Sequence, residues 1–389
     1  NLTTIERCLE LVGENTGTRP DIDSVALDDP AVYEMLSRGD GMGVFQLEGS
    51  GMRSLMRSLR PDRFQDLMAL ISLYRPGPLG AGTHLLYADR KNGRSPIEYP
   101  HPDLEPVLAE TYGIMVYQEQ VMQSAQVMAG FSLAEADTLR KAIGKKIPAV
   151  MAKQEESFVE GCVSQGHPRE LARSLFALIS HFAGYGFNKP HAAGYALVAY
   201  QTAWLKVHYP AEYMAALLTS SKRDKDRTAV YLSECRTMGV RVLVPDVNAS
   251  ESDFVARNGS IPFGLSAIRN VGEGVVELIT EERRKSGVFS SFQDFVDRVD
   301  LGVLNKRTIE SLIKAGAFDT TSASRKGLIT VYEQMVEAAI TRRRAEDMGQ
   351  FSLFGVEEPS VRAGTVDIPF QEWDKKVKLT KKEFEQIKR

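Results

Sequence analysis

The sequence predicts a mainly α-helical protein, and three observations lead to that fold class. Apolar residues recur at three- and four-residue steps through most of the chain, for example at Met52, Leu55, Met56 and Leu59. Strand-like runs are few and short, and residues 240–245 form the clearest one. The sequence has no internal repeat of fixed period. With 389 residues, of which 43% are hydrophobic, the chain can form two or three domains with their own cores.

The predicted elements follow from this periodicity and from turn residues. In chain order, helices are predicted over residues 47–59, 64–71, 116–128, 133–143, 148–165, 171–182, 192–208 and 212–220. After the strand at 240–245, the pair Asn258-Gly259 predicts a turn between extended runs. Helices resume at 275–285, 292–298, 306–314 and 328–344, and Gly316 is predicted to end the third of these. The pattern predicts a domain edge near residue 248 and irregular structure after about residue 355.

Composition excludes several classes of protein. No run approaches the ~20 apolar residues that a membrane helix needs, and the first residues do not resemble a signal peptide. Three widely spaced cysteines exclude a disulfide framework and a CxxC-type zinc site, and they indicate a reducing cytoplasm. The chain lacks an initiator Met, which suggests a piece of a longer protein. The net charge of −3 by itself argues against a nucleic-acid partner. The distribution of charge matters more than the sum, however, and residues 138–153 contain no acid.

No catalytic constellation is evident. A metal-dependent nucleotidyl transferase needs two or three carboxylates that converge on Mg²⁺. Asp21 and Asp23 have D-x-D spacing, but they lie in a polar segment that contains Pro20, and a turn with a helix cap is the favoured interpretation. No Ser/His/Asp or Cys/His arrangement stands out.

Basic residues near helix junctions are the stronger functional candidates. One cluster precedes Pro148 and could hold a triphosphate or a nucleic-acid backbone, although a solvated helix end is the alternative; it comprises Arg140, Lys141, Lys145 and Lys146. A second candidate is the aromatic turn at residues 185–191, which carries Asn188, Lys189 and His191. The alternative interpretation of this turn and the helix after it is tight helix packing. Arg75 is presented by a third segment, the Pro-rich turn at residues 74–79.

Two further segments suggest binding to macromolecules. Residues 268–276 contain a G-x-G pattern that suits a hairpin between two helices, in which Arg269, Gly272 and Gly274 would meet a DNA phosphate. Residues 350–355 carry Gln350, Leu353 and Phe354 outside any periodic pattern, which suggests a peptide that fills a pocket on a partner. Packing of Leu353 and Phe354 onto the adjacent domain is the alternative.

Together these segments resemble the family of the bacterial DNA polymerase III α subunit, the C-family replicative polymerase. Five runs carry the resemblance, and they occur in the family's order and spacing over roughly residues 1–355: GVFQLE at 43–48, YRPGPL at 74–79, YGIMVYQEQ at 112–120, LRKAIGKK at 139–146 and AGYGFNKPH at 183–191. The resemblance implies the end of the palm at residues 1–30, a helical fingers domain at 31–248 and a smaller helix-hairpin-helix domain with few short strands at 249–345. A clamp-binding peptide at 346–356 and an unassigned polar basic tail at 357–389 would follow.

The resemblance also implies the roles of these residues. The parent enzyme would be a DNA-directed DNA polymerase that extends primers with dNTPs and Mg²⁺, whose ligands would lie outside this chain. Nucleotide and template contacts would come from Arg75, Arg140, Lys141, Lys145, Lys146, Asn188, Lys189 and His191; duplex contacts from Arg269, Gly272 and Gly274; and sliding-clamp contacts from Gln350, Leu353 and Phe354. Other holoenzyme subunits would be partners, with no membrane. The alternatives are a non-catalytic DNA- and clamp-binding module and an error-prone paralogue. The isolated chain is predicted to be inactive.

Overall fold

The computed structural model describes residues 2–145, 148–183 and 185–347, and within these ranges the protein is mainly α-helical, as predicted. The helices are α1 (Leu2–Thr16), α2 (Pro30–Ser37), α3 (Ser50–Leu59), α4 (Phe64–Leu73), α5 (Pro76–Gly80), α6 (Thr83–Lys91), α7 (Glu105–Leu108), α8 (Gln118–Ala129), α9 (Leu133–Lys145), α10 (Pro148–Ser164), α11 (Arg169–Ala183), α12 (Lys189–His208), α13 (Pro210–Ser221), α14 (Lys225–Thr237), α15 (Glu273–Ser286), α16 (Phe292–Arg298), α17 (Lys306–Ala315) and α18 (Arg325–Asp347). The strands are β1 (Arg241–Leu243) and β2 (Ser260–Pro262).

The predicted helices agree with the observed ones to within a few residues, but the sequence analysis did not predict α1, α2, α5, α6, α7 and α14. Helix α14 shows the reason most clearly. Only Tyr231 and Cys235 of its thirteen residues are buried, so the helix carries almost no apolar stripe. Its start is instead stabilised by the Asp224 side chain, which accepts a hydrogen bond from the Arg227 backbone at 3.0 Å.

The chain forms two compact units. The first combines Asn1–Glu6 with Pro20–Pro210, and the second combines Arg7–Arg19 with the chain from Ala211 onward. The domain edge predicted near residue 248 stays a prediction.

The first unit is organised around α4, which is buried along nearly its whole length. All residues from Asp66 to Leu73 are buried. Helix α12 packs against α4, and in the core that the two helices share it buries a row of small residues at helical spacing: Ala192, Ala196, Ala199 and Ala203. Tyr200 on the same helix is also buried, and its hydroxyl donates to the Ala26 carbonyl at 2.8 Å. The small residues of α12 therefore serve close helix packing.

Further cores lie in both units. In the first unit, α8, α9, α10 and α11 share a core that includes Leu104, Phe158 and Cys162. In the second unit, α15, α16, α17 and α18 enclose a core rich in aromatic rings, in which Phe292, Phe295 and Phe318 contact one another.

The two strands form a short parallel pair in the second unit. Arg241 pairs with Ser260, and Leu243 with Pro262. The turn predicted at Asn258-Gly259 immediately precedes β2, and both residues adopt left-handed φ values of 51° and 70°. This backbone is the one that favours Asn and Gly in tight turns. No helix in the described part of the chain is long and apolar enough to span a bilayer.

The α4–α12 contact leads to a stability prediction. Ala196→Leu inserts a larger side chain into a fully packed interface and is expected to cost about 1–3 kcal/mol of the free energy of unfolding. Urea denaturation followed by circular dichroism measures this cost.

Gly194 provides the control for that measurement. It lies on the exposed face of the same helix, and an added Cβ would meet open space. Gly194→Ala is therefore expected to stabilise the protein by about 0.5–1 kcal/mol. Equal losses in both variants would contradict the proposed tight packing.

Candidate functional site

In the first unit, the loop at residues 185–188 is held in place by the start of α8. Phe187 and Tyr117 form an isolated parallel bridge. In it, the Phe187 backbone N–H donates to the Val116 carbonyl at 3.0 Å, and the Gln118 N–H donates to the Phe187 carbonyl at 2.9 Å. The Gln118 amide adds a bond to the Gly186 carbonyl at 3.2 Å. Two sequence motifs almost seventy residues apart thus form one hydrogen-bonded surface.

Arg75 supports the same loop from the other side. Its guanidinium donates to the Tyr185 carbonyl at 2.6 Å and to the Ser72 carbonyl at 2.9 Å, and it lies 4.5 Å from the centre of the Phe187 ring. Burial lowers the pKa of this guanidinium from its ordinary value. The Tyr185 ring also occupies the space that a Cβ at Gly77 would need, so the close approach requires glycine there. The structure thus makes Arg75 a support of the loop.

The N-terminus of α12 follows the loop and is already capped by polar groups. The Asn188 side chain accepts a hydrogen bond from the His191 backbone N–H at 2.9 Å. Glu119 accepts from the Lys189 backbone N–H at 2.9 Å and from the Asn188 amide at 3.0 Å. A carboxylate at this helix terminus occupies the position that an anionic ligand would favour.

The Lys189 side chain is held between an acid and an aromatic ring. Its ammonium group lies 2.6 Å from a Glu110 oxygen and 5.6 Å from the centre of the Tyr117 ring. Burial, and then the charge of Glu110, raise the pKa of the Tyr117 hydroxyl well above its ordinary value. The Lys189 side chain remains 37% exposed, so a ligand can reach it.

The cations of α9 share one carboxylate. Asp137 lies 2.6 Å from the Lys141 ammonium and 2.7 Å from the Arg140 guanidinium. These hydrogen bonds, first from Lys141 and then from Arg140, hold the pKa of Asp137 below its ordinary value. Arg140 also donates to the Gln118 side chain at 3.1 Å, which connects α9 to the loop-binding end of α8.

His191 takes part in a row of rings on α12. Its imidazole lies 5.4 Å from Phe187 and 4.5 Å from Tyr195, and Tyr195 in turn lies 5.5 Å from Phe45. His191 is exposed, which leaves this end of the row accessible to a flat ligand.

The structure therefore brings five of the eight residues predicted to contact nucleotide and template together around residues 117–119 and 185–189: Arg75, Arg140, Asn188, Lys189 and His191. Lys141 is joined to them through Asp137. Lys145 is the last residue of α9, and Lys146 lies outside the described residues. The sequence reasoning missed the acids Glu110, Glu119 and Asp137. Asp137 carried a usable signal, because it precedes Arg140 and Lys141 by three and four residues on a helix. Glu119 also carried one, because it lies inside the motif at residues 112–120.

The predicted hairpin in the second unit is built on a tight turn. Its leading element is a single 3-10 turn (Leu265–Ala267) rather than a longer helix. Asn270 adopts a left-handed φ of 65°, and its side chain donates to the Ser311 hydroxyl on α17 at 3.1 Å. The Thr308 hydroxyl donates to the Asn270 carbonyl at 3.0 Å, so α17 fixes the turn from both sides.

The glycines of this hairpin are not required by its backbone. Gly272 is the N-cap of α15 with a φ of −83°, and it provides no capping side chain. An added Cβ at Gly272 or Gly274 would meet nothing within 4 Å. Arg269 is exposed on the same turn. The first turn of α15 thus presents backbone N–H groups on an open surface beside one arginine. The acidic residue of this turn, Glu273, forms an ion pair with Lys222 at 2.8 Å.

Two other predictions have different outcomes. Asp21 caps a 3-10 turn by accepting from the Asp23 backbone N–H, and Asp23 accepts from the Gln201 amide at 3.2 Å. These contacts confirm the turn interpretation and give no convergent carboxylate pair. Gln350, Leu353 and Phe354 lie outside the described residues.

The chain is similar to known proteins over almost its whole length. Residues 1–166 match the family model described as the bacterial DNA polymerase III alpha subunit finger domain, and residues 239–328 match a helix-hairpin-helix motif. The DNA polymerase III subunit alpha of Saccharopolyspora erythraea is 50% identical over 390 residues, which cover 98% of this chain and 33% of the relative. The same subunit of Mycobacterium tuberculosis is 48% identical (97% and 33% covered), and that of Escherichia coli K12 is 46% identical (92% and 32% covered).

The chain thus spans about a third of the length of the curated relatives it matches. The finger-domain match includes the α8 and α9 part of the first site, and the helix-hairpin-helix match includes the turn of the hairpin, whereas residues 185–191 lie between the two matches. The chain belongs to the family of the bacterial DNA polymerase III α subunit.

Proposed function

We propose that this chain is part of a replicative DNA-directed DNA polymerase, a cytoplasmic nucleotidyltransferase, in which it binds the incoming dNTP and the template. The proposed organisation is the one that the resemblance implies, with fingers at residues 31–248 and a duplex-binding region at 249–345. The single observation that carries the proposal is the convergence of Arg140, Lys189 and His191 around the 185–188 loop, in a chain of this family.

In the proposed mechanism, the phosphates of the dNTP replace carboxylates as the partners of the basic side chains. Glu110 and Asp137 hold Lys189 and Arg140 in fixed positions before substrate arrives. A triphosphate brings more negative charge than a carboxylate, so it competes for the same cations and gains charge-assisted hydrogen bonds to them. Because the cations are already positioned, little side-chain ordering opposes binding.

The ring row on α12 would contact the sugar or base. His191 forms its exposed end, and its backbone is fixed by the Asn188 cap. A nucleobase that stacks on such a row gains contact without sequence preference, as incoming-nucleotide binding requires.

The proposed phosphoryl transfer uses Mg²⁺ in the parent enzyme. The described residues do not fit such a site, because their only group of three close metal ligands contains a single carboxylate, Asp103. Asp21 and Asp23 are engaged elsewhere. The chain's proposed part in the reaction is therefore binding and orientation, and the chain by itself is proposed to be inactive.

We further propose that the hairpin at residues 268–274 binds the phosphate backbone of duplex DNA. The supporting observation is that Gly272 and Gly274 are open and unstrained, so the fold gains nothing from glycine there. Close approach of a DNA backbone would explain why both positions are glycine. This activity also fits the alternative of a non-catalytic DNA- and clamp-binding module.

Residues 346–356 are proposed to bind the sliding clamp, with Gln350, Leu353 and Phe354 as anchors. Primer-template DNA, dNTP, the clamp and other holoenzyme subunits are the proposed partners. The peptide favours the replicative form over an error-prone paralogue.

The first prediction concerns nucleotide binding. In the full-length protein that contains this chain, Lys189→Gln is expected to raise the KM for dNTP about tenfold or more, because a charge-assisted hydrogen bond to the triphosphate is lost. Glu110→Gln frees Lys189 from its carboxylate, so the KM should stay unchanged or fall. Steady-state primer extension measures both.

Lys314→Gln is the matched control, because it breaks a similar 2.6 Å ion pair with Glu310 in the second unit. Its KM should match that of the unmodified protein. An equal rise in KM for Lys189→Gln and Glu110→Gln would show that the ion pair matters only for structure. The 389-residue chain alone should give no primer extension.

The second prediction concerns duplex DNA. Gly274→Ala should leave the fold intact, since its Cβ meets open space, but it should weaken duplex binding by blocking close approach. Arg269→Gln should reduce the slope of log affinity against log salt by about one. Fluorescence anisotropy across a sodium chloride series measures both effects.

Gly13→Ala on α1 is the control for this series, because its Cβ would make only an ordinary contact with Arg19 at 3.6 Å. It should bind duplex DNA with unchanged affinity. If Gly274→Ala also binds duplex DNA with unchanged affinity, close approach of a DNA backbone at this glycine is contradicted.

The third prediction concerns the clamp. Replacing Leu353 and Phe354 by Ala should weaken binding to the sliding clamp by roughly 30-fold, the loss expected for a buried anchor. Surface plasmon resonance with immobilised clamp measures this, and Ser352→Ala between the anchors serves as the control. Unchanged affinity in the double variant would assign both side chains to packing within the protein.

A further inference from the structure

Three side chains that carry metal-ligand atoms, none of them part of the proposed nucleotide site, lie together beside the α8–α11 core. His101 precedes the 3-10 turn Pro102–Leu104, which carries Asp103. His167 lies in the connection between α10 and α11, sixty-four residues after Asp103. Leu104 and Leu171, close to the two ends of this group, pack in the same core. The fold therefore brings two distant loops together at this point.

The three side chains have the chemistry and spacing of a metal site. One ligand atom from each of the three lies within 4.8 Å of the others. A carboxylate oxygen of Asp103 is 3.5 Å from His101 Nδ1 and 3.9 Å from His167 Nε2. Ligand atoms about 2.0–2.1 Å from a tetrahedral Zn²⁺ would be about 3.4 Å apart, so small side-chain rotations suffice.

The surroundings hold the two imidazoles and leave the aspartate accessible. The His101 and His167 rings are nearly perpendicular, with centroids 4.9 Å apart, and their side chains are only 21% and 14% exposed. Asp103 is 55% exposed, so water has access to the open side of the group. The His167 backbone N–H donates to the Cys162 carbonyl at 3.0 Å, which anchors its loop to the end of α10.

One existing contact competes with a metal. His101 Nδ1 accepts a hydrogen bond from the Asp103 backbone N–H at 3.2 Å, and coordination through that atom would replace it. The bond is long for an N–H donor, so it restrains the ring weakly.

We propose that His101, Asp103 and His167 bind one Zn²⁺ ion, with water as the fourth ligand. Two imidazoles and one carboxylate favour zinc over Mg²⁺ or Ca²⁺, which prefer oxygen ligands. The ion would cross-link the loop before α7 to the α10–α11 connection. Because α8 to α11 share one core, it would stabilise the part of the protein that carries Arg140 and the 185–188 loop. The proposal is independent of the function proposed above.

The test uses the chelator-treated 389-residue chain with ZnCl₂ and, as a spectroscopic probe, CoCl₂. One equivalent of Zn²⁺ is expected by calorimetry, with a rise in the melting temperature. His101→Gln and His167→Gln should each weaken binding by more than about 100-fold, beyond the losses typical of residues that only support a ligand. His208→Gln is the matched control, since this histidine pairs with Asp29 elsewhere in the first unit, and it should keep one equivalent.

The cobalt spectrum separates this site from binding by thiols. All three cysteines are buried, and burial raises the pKa of the Cys162 thiol to about 11, so thiolate ligands are not expected. The bound Co²⁺ should show visible bands of a low-coordinate ion without an intense sulfur-to-cobalt charge-transfer band. Three results would each overturn the proposal. They are a sulfur-to-cobalt charge-transfer band, binding of less than one equivalent of Zn²⁺, and equal Zn²⁺ affinity in His167→Gln and the unmodified chain.

Discussion

The contact between the buried helix α4 and the small-residue face of α12 is the constraint on which the first unit depends. A helix that is buried on every side needs close neighbours, and alanines at helical spacing let α12 approach it closely. That contact fixes where α12 begins. The 185–188 loop must then pass from α11 to that point, and the start of α8 satisfies its backbone groups on the way.

The electrostatics of the site follow from this arrangement. Four cations of the first site have partners among the described residues: Lys189 has Glu110, Arg140 and Lys141 share Asp137, and Arg75 has backbone carbonyls and a ring face. Exposed ion pairs of this kind contribute little to stability. Their value here is positional, because they hold long side chains in one place. A near-neutral protein can in this way keep several basic side chains together at one local surface, which the net charge of −3 alone does not reveal.

Sequence patterns predicted the elements with strong apolar stripes and the residues inside recognisable motifs. Helix α16 was predicted with its observed bounds, and Gly316 ends α17 in the left-handed conformation, as expected. The elements that were missed, such as α14, have few buried residues and depend on caps and local contacts. In the site, the basic and polar residues of the motifs were predicted, but the acids Glu110 and Glu119 were not, although Glu119 lies in the motif at residues 112–120. The role of these acids becomes visible only when the fold brings them to the start of α12.

The sequence by itself determined the helical class, the positions of most turns and the types of side chain available for binding. These depend on local periodicity and on the backbone preferences of Gly, Pro and Asn, which act over a few residues. Only the tertiary structure decided which distant groups meet: Tyr185 over Gly77, Glu119 at the start of α12, and His167 beside His101 and Asp103. Such contacts arise from the packing of whole helices, and no short-range pattern in the chain encodes the distance between two residues that lie on different helices.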